Sequence, residues 1–152
     1  MLESIKKRRI SLGYRISRLF RMNTCLLDQW TKGFSMHCGQ IPYIISIVEK
    51  EGLTQEELST TVHLDRGHTA RMLKTMEASG LIKREKNPEN RRQKFVYPTT
   101  KGKARYQALM PVLSRHNAVM FRGFSAEERN AAITILDRVI ANVQSELDGE
   151  RI

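Results

Sequence analysis

The stretch LTQEELSTTVHLDRGHTARMLKTMEASGL, residues 53–81, constrains the fold more than any other part of the chain. Thr54 and Glu57 have the spacing of a capping box, in which two side chains satisfy the free amides of a first helical turn. Asp65 is a good N-cap for a second helix, which runs to Ser79, and Gly80 can adopt the left-handed conformation that ends it. Two capped helices joined by a few residues predict a helix-turn-helix.

A cationic hairpin is predicted directly after this helix pair. Beyond Gly80 the apolar residues alternate, which predicts two strands, LIKREK and RRQKFVYP, joined by a turn at NPEN. The segment KREKNPENRRQK carries six cations. A hairpin tip does not need this charge in order to fold, so the cations indicate an anionic partner.

Amphipathic helices are predicted on both sides of this region. Residues 11–30 have apolar side chains at helical spacing, and a short helix begins at Pro42 after an irregular connector. Two long helices follow the hairpin, one from about Thr100 and one that opens with a capping box of Ser125 and Glu128. The predicted fold class is therefore mainly α with a small β-hairpin wing: a winged helix-turn-helix with N- and C-terminal helical arms.

The length predicts a single domain, residues 1–152. Residues 40–99 would form the winged helix-turn-helix lobe, and residues 1–36 and 100–152 would form dimerisation arms. The arms carry more apolar surface than so small a lobe can cover, so we expect a homodimer in which two copies cover each other. The alternative is that the arms fold back on their own core.

Positive charge is concentrated in two windows. The formal net charge is +10, and residues 1–21 hold seven cations and one acid, whereas residues 81–105 hold nine cations and two acids. Such a field suits nucleic acid or an anionic membrane surface. The N-terminal segment IKKRRISLGYRISRLFRMN could lie on lipid as a basic amphipathic helix, but this leaves the capped helices and the hairpin unexplained. A winged helix that binds protein or RNA is the other alternative.

Other functional classes have little support in the sequence. No phosphate-binding loop, HExxH motif or nucleophile elbow is present, so we expect neither an enzyme nor a cofactor or metal site. The longest apolar run is too short to cross a bilayer and no signal peptide is recognisable. Cys25 and Cys38 lack the spacing of a zinc site or a disulfide scaffold. We therefore expect a reduced, cytoplasmic protein.

The second helix of the pair is the candidate reader of DNA. It would bury Thr69, Met72, Leu73 and Met76 and expose a small, basic face that suits the major groove. Arg71 is the best candidate for a base contact, because its planar fork can bind guanine through two hydrogen bonds. DNA phosphates are the expected partners of the strand cations Lys83, Arg84, Lys86 and Lys94. The N-terminal end of the first helix of the pair could hold a further phosphate. The candidate DNA-binding residues are Thr54, Gln55, Arg66, Gly67, His68, Ala70, Arg71, Lys74, Thr75, Arg91, Arg92 and Lys94.

At these residues the sequence resembles the MarR family of transcriptional regulators. The resemblance rests on LTQEELSTTVHLDRGHTARMLKTMEASGLIKR and on the wing NPENRRQKFVYPTTKGKA. It implies a homodimer that binds pseudo-palindromic operators in double-stranded DNA, and often releases them when a small phenolic molecule or an oxidant acts. By position it implies that Gly67, His68, Ala70 and Arg71 read bases and that Arg91 is the wing-tip arginine.

The sequence departs from the family pattern in the wing and on the reading helix. The family commonly has Asp at the positions of Asn87 and Asn90, where a carboxylate steadies the wing arginine, so either a looser wing or a differently aimed arginine is predicted. Gly67, His68 and Ala70 stand where relatives often have Ser or Thr, so the operator need not be the usual one.

Effector control is predicted only by analogy. In the family, ligands usually sit where the arms meet the DNA-binding lobe, and here Trp30, Phe34, His37 and Tyr43 could line a site for a phenolic or aromatic acid. The alternative is that these are ordinary core aromatics and a loop histidine. Oxidant sensing by Cys25 or Cys38 is also left open.

Overall fold

The computed structural model describes residues 11–90 and 93–149. The chain divides into two compact units, with the boundary between Leu113 and Ser114. Predictions that concern residues 1–10, Arg91, Arg92 and residues 150–152 lie outside the described residues.

The first helix, α1, spans Leu12–Thr31. Ser11 caps it, because its hydroxyl accepts a hydrogen bond of 3.3 Å from the Tyr14 amide. The C-terminal part of α1 packs on the core through Leu27 and the buried Thr31. The apolar side chains nearer its N-terminus are instead exposed: Leu12, Tyr14, Ile16, Leu19, Phe20 and Met22.

Helix α2 lies at the centre of the core. Two short 3-10 turns, Lys32–Phe34 and Cys38–Gln40, lead into α2, which spans Ile41–Glu49. Pro42 lies in the first turn of α2 as predicted, where its missing amide costs no helical hydrogen bond. Three side chains of this helix are fully buried: Tyr43, Ile44 and Ile47.

The predicted helix-turn-helix is present as α3, Gln55–Thr61, and α4, Arg66–Ala78. The capping box of α3 is confirmed, because the Glu57 amide donates to the Thr54 hydroxyl (3.2 Å) and the Thr54 amide donates to the Glu57 carboxylate (2.8 Å). Asp65 caps α4 by accepting from the His68 amide at 2.8 Å. Gly80, with φ +71°, follows the C-cap as predicted.

One face of α4 is buried, as predicted from its apolar spacing. This face belongs to the same core cluster as Leu58 of α3 and Val96 of the wing. The buried side chains on α4 are Thr69, Met72, Leu73 and Met76.

The wing is part of a three-stranded sheet. Strands β2, Ile82–Lys86, and β3, Lys94–Pro98, pair antiparallel as predicted. A further strand, β1, spans Leu53–Thr54 and pairs with the other edge of β3. The sequence predicts only the two-stranded hairpin, because a two-residue strand is too short to show alternation. Pairing on both edges fixes the base of the wing against the start of α3.

The long helix α5 spans Thr100–Met120 and contains Pro111. Its first turn is joined to the end of α4, since the Thr99 hydroxyl donates to the Gly80 carbonyl at 2.6 Å and accepts from the Gly102 amide at 3.0 Å. A Cβ atom at Gly102 would stand 2.0 Å from the Leu81 carbonyl oxygen. Only glycine fits at this point without a backbone shift.

The last helix, α6, spans Ala126–Gly149. Its predicted capping box is present, because the Ser125 amide donates to the Glu128 carboxylate (2.8 Å) and the Glu128 amide donates to the Ser125 hydroxyl (3.2 Å). Large apolar side chains on α6 are exposed: Ile133, Ile135, Leu136, Ile140, Val143 and Leu147. Within residues 11–90 and 93–149, no helix is long and apolar enough to cross a membrane.

Candidate nucleic-acid interface

The solvent face of α4 carries the predicted base-reading residues. Arg71, Lys74 and Thr75 are exposed, and Gly67 presents no side chain in the first turn. His68 and Ala70 are half-buried. This surface is small and cationic at the N-terminal half of the helix, which lets a backbone approach the floor of a major groove.

Asp65 organises the first turn beside this face. Its carboxylate accepts from the His68 amide, and this hydrogen bond is the main reason why the pKa of Asp65 lies below its ordinary value. A Cβ atom at Gly67 would stand 3.2 Å from the Asp65 carboxylate and 3.7 Å from the Arg71 guanidinium. The glycine therefore leaves room for the cap and for Arg71 together.

Arg66, another predicted DNA contact, forms an ion pair with Glu56 of α3. The two side chains are 74% and 64% exposed, so the pair is screened by water and contributes little to stability. Its effect is to offset the positive charge of Arg66 in the isolated protein.

Thr54 is buried, and both its amide and its hydroxyl donate to the Glu57 carboxylate at 2.8 Å. These two hydrogen bonds are the main reason why the pKa of Glu57 is lowered. The cap of α3 is therefore already satisfied within the protein. Gln55, the next predicted contact, is half-buried on the same turn.

A polar groove of about 470 Å³ separates the start of α3 from the wing. It brings together four of the predicted DNA-binding residues, Thr54, Gln55, Arg66 and Lys94. The remaining lining residues are Glu56, Arg84, Asn90, Gln93 and Val96.

Neutral amides close the wing loop. The Asn87 side-chain amide donates to the Gln93 side-chain oxygen at 2.8 Å, and the Asn87 backbone amide donates to the Gln93 carbonyl at 3.0 Å. The Glu89 amide donates to the Asn87 side-chain oxygen at 2.9 Å. In the described part of the loop, Asn87 makes all three of these hydrogen bonds. The expected looser wing or differently aimed arginine concerns Arg91, which lies outside the described residues, so it stays a prediction.

The strand cations do not share one environment. Lys83 pairs with Glu85 at 2.6 Å and stands 5.6 Å from the centre of the Tyr97 ring, and its pKa is raised mainly by the Glu85 hydrogen bond. Lys86 and Lys94 are exposed and lie opposite each other in the β2–β3 register.

Arg84 differs from the other strand cations because it turns inward onto α4, where it pairs with Glu77. The sequence assigns Arg84 to phosphates and gives Glu77 no role. Sequence reasoning could have noticed that Glu77 lies in the last turn of α4, where the helix dipole disfavours negative charge and a cationic partner is therefore expected.

The four candidate ligand residues occupy different settings. Tyr43 is fully buried, and its hydroxyl lies 3.1 Å from that of Thr69. Phe34 is half-buried beneath the Arg105 guanidinium, which lies 5.3 Å from the ring centre. Trp30 is half-buried on α1 and His37 is exposed. A ligand site formed by these four residues stays a prediction.

The two thiols also differ. Cys25 is exposed on α1 and Cys38 is half-buried. Burial raises the pKa of Cys38, and a hydrogen bond with Asp28 and the charge of that carboxylate raise it further. The Cys38 amide also donates to Asp28 at 2.8 Å. Within the described ranges, no three His, Cys, Asp or Glu side chains are grouped in a way that could hold a metal ion.

Comparison with known proteins gives consistent matches. A profile of the MarR family matches residues 39–94. The uncharacterized HTH-type transcriptional regulator YybA of Bacillus subtilis is 32% identical over 113 residues, which are 74% of this chain and 75% of that protein.

Solved structures share the fold. The transcriptional regulator SlyA superposes with a TM-score of 0.85 at 27% identity, covering 90% of this chain and 96% of that one. A MarR family transcriptional regulator from Listeria monocytogenes, solved with a 26mer DNA, superposes with a TM-score of 0.83 at 28% identity, covering 90% of this chain and 91% of that one. With its winged helix-turn-helix and these likenesses, this chain belongs to the MarR family of transcriptional regulators.

Proposed function

We propose that this protein is a sequence-specific regulator that binds double-stranded operator DNA as a homodimer and represses transcription. One observation carries the proposal: α4 buries Thr69, Met72, Leu73 and Met76 and leaves Gly67, Arg71, Lys74 and Thr75 exposed. A capped helix with a glycine in its first turn and cations on its exposed face can lie in a major groove. The structural relative from Listeria monocytogenes was solved with DNA, which supports the same use here.

Each predicted residue has a part in this proposal. Residues of the N-terminal half of α4 read base edges, with Arg71 as the main base contact and Gly67, His68 and Ala70 beside it. Arg91 at the wing tip enters the adjacent minor groove, whose negative potential attracts arginine. His68 and Lys74 are the next candidates for base contacts, and Arg92 accompanies Arg91 at the minor groove. Thr54, which is hydrogen-bonded to Glu57, positions the first turn of α3. The remaining candidates contact DNA phosphates and contribute affinity without reading sequence: Gln55, Arg66, Thr75 and Lys94.

Exposed apolar stripes support the homodimer. On α6 the stripe recurs at alternating intervals of three and four residues, as in a helix-packing seam, and its members are 45% to 61% exposed: Ile133, Leu136, Ile140, Val143 and Leu147. The N-terminal part of α1 exposes a second apolar set. Surfaces of this kind are uncommon on monomers and mark protein contacts. A symmetric dimer would place two copies of α4 on the two halves of a pseudo-palindromic site.

A small phenolic or aromatic acid is the proposed effector class. The buried hydrogen bond between Tyr43 and Thr69 links one candidate ligand residue directly to α4, so a change around Tyr43 would reach the base-reading helix. Calorimetry with salicylate tests this part. We expect heat of binding together with weaker operator affinity, and no heat with unchanged affinity would remove the effector from the proposal.

Selection of bound fragments from random duplex, with heparin as competitor, tests the function as a whole. We expect enrichment of a two-fold symmetric motif, and relaxed base choice at one position of each half-site in Arg71→Ala. Binding that follows only charge, with no enriched motif and no preference for duplex over heparin or anionic vesicles, would contradict the proposal.

A further inference from the structure

An ion pair connects α4 to the wing. The Arg84 Nε atom donates to Glu77 Oε2 at 2.9 Å, and a second guanidinium nitrogen donates to the same oxygen. The Arg84 side chain is 20% exposed and that of Glu77 is 38% exposed. Partial burial of a charge-assisted pair makes it stronger than the exposed pairs elsewhere on this surface.

The alternation of β2 explains why Arg84 turns inward. Successive side chains of a strand point to opposite faces. Ile82 is buried and Arg84 is half-buried, whereas Lys83 and Glu85 between and beyond them are exposed. Arg84 therefore lies on the face of the sheet that packs on the protein, opposite the buried Val96 of β3.

Among the described residues, hydrogen bonds tie α4 to β2 at two points, and the ion pair is the second of these. The first lies at the turn, where the Leu81 amide donates to the Met76 carbonyl at 2.9 Å and Gly80 has φ +71°. That turn fixes where the strand begins, and pairing with β3 along its length holds β2 in the sheet. The Arg84 pair fastens β2 two residues further toward the wing tip.

Glu77 sits where a carboxylate is otherwise unfavourable. It lies in the last turn of α4, where the helix dipole repels negative charge. The Arg84 hydrogen bond is the first cause of its lowered pKa, and the charges of Arg84 and Lys94 also lower it. Glu77 is therefore ionised at neutral pH, and the cations Arg84 and Lys94 of the wing compensate its charge.

We propose that Glu77 and Arg84 form a positioning pair that sets the angle of the wing relative to α4, so that both elements engage the same duplex. This inference rests on the proposed function. Under this proposal Arg84 does not serve as a phosphate contact, because its guanidinium is paired with the Glu77 carboxylate.

The direction in which one substitution changes DNA affinity separates a positioning role from a purely electrostatic one. Glu77→Gln removes a negative charge and so, by electrostatics alone, should strengthen binding to DNA. If the pair positions the wing, the same substitution weakens binding despite the added net positive charge. Glu85→Gln is the matched control, because it removes the same charge from an exposed residue on the strand that carries Arg84. Glu85 pairs with Lys83 of that strand and not with α4.

Fluorescence anisotropy with the selected duplex measures these effects in the full-length protein. We expect Glu77→Gln to bind about 5- to 10-fold more weakly than wild type, and Glu85→Gln to bind as tightly or more tightly. Equal or tighter binding by Glu77→Gln would overturn the proposal. Absence of duplex preference in the wild type itself would instead reject the proposed function.

A second set of variants distinguishes loss of the ion pair from a general loss of folding. Glu77→Asp keeps the charge but shortens the side chain by one methylene, so any weakening is geometric; we expect an affinity between those of wild type and Glu77→Gln. In an Arg84→Gln background, Glu77→Gln should no longer weaken binding, because there is no pair left to break. Unchanged affinity in Glu77→Asp, or the same loss in both backgrounds, would overturn the inference.

Discussion

The Tyr43 hydroxyl lies 3.1 Å from the Thr69 hydroxyl, and both side chains are fully buried. One residue belongs to α2 and the other to the buried face of α4, so the central helix of the core is joined to the candidate base-reading helix by a polar contact. Burying two hydroxyls is tolerable only because each satisfies the other.

Replacing Tyr43 by Phe should destabilise the fold. The Thr69 hydroxyl would lose its partner in a dry site, which costs about 1–2 kcal/mol of unfolding free energy. Urea denaturation measures this difference. The double variant Tyr43→Phe with Thr69→Val removes both hydroxyls and should recover part of the loss; a double variant that adds the two single losses would contradict the pairing.

Replacing Gly102 by Ala should also destabilise the protein. The new methyl group would stand 2.0 Å from the Leu81 carbonyl oxygen, so α5 would have to move away from the end of α4. Overpacking of this kind costs about 1–3 kcal/mol. Gly33→Ala is the control, because a Cβ atom there meets nothing within 4 Å. Equal denaturation midpoints for the two variants would show that the α4–α5 junction yields easily.

The capping box of α3 should make stability depend on pH in the acid range. Hydrogen bonds from Thr54 hold the pKa of Glu57 below its ordinary value of 4.5. A depressed pKa in the folded state stabilises the protein above the unfolded value, and this stabilisation is lost as the pH falls through the folded value. Glu57→Gln should therefore be less stable than wild type at pH 7, and the difference should shrink below about pH 4.5. A constant difference across this range, measured by urea titration, would contradict the assignment.

Cys38 should be a poor oxidant sensor at neutral pH. Its raised pKa keeps the thiol protonated, and only the thiolate reacts readily. With Cys25→Ser as the single-thiol variant, labelling of the half-buried Cys38 by a disulfide reagent should be slower than labelling of the exposed Cys25 in Cys38→Ser. Asp28→Asn should accelerate it, because the neighbouring negative charge is removed. Equal rates for the two thiols would restore Cys38 as a candidate sensor.

Replacing Arg71 and replacing Arg91 should change DNA binding in different ways. Arg71→Ala should relax base choice at one position in each half-site, at a cost of about 1–3 kcal/mol of discrimination. Arg91→Ala should weaken binding to every duplex and lower the salt slope by about one per site engaged. Binding across a panel of point-substituted duplexes at several salt concentrations separates them. Equal losses on every sequence would show that reading and anchoring are not divided in this way.

The sequence predicts best those features whose signals are local. The caps of α3, α4 and α6 depend on residues three apart, and the hydrogen bonds of Thr54, Asp65 and Ser125 are present as predicted. The buried face of α4 follows equally from its spacing.

Features that depend on distant residues could not be predicted. Strand β1 has only two residues, and its partner β3 lies about 40 positions further along the chain. The pairing of Arg84 with Glu77 depends on β2 packing beside the last turn of α4, and spacing within either element does not give this contact. The need for glycine at position 102 arises only where α5 meets Leu81.

Sedimentation equilibrium of the full-length protein with a duplex that carries the selected motif tests the central claim most directly. We expect two chains per duplex, formed from a protein that is already dimeric without DNA. A single chain on each duplex, or an unchanged complex when one half of the motif is scrambled, would contradict a dimer that places two copies of α4 on two half-sites.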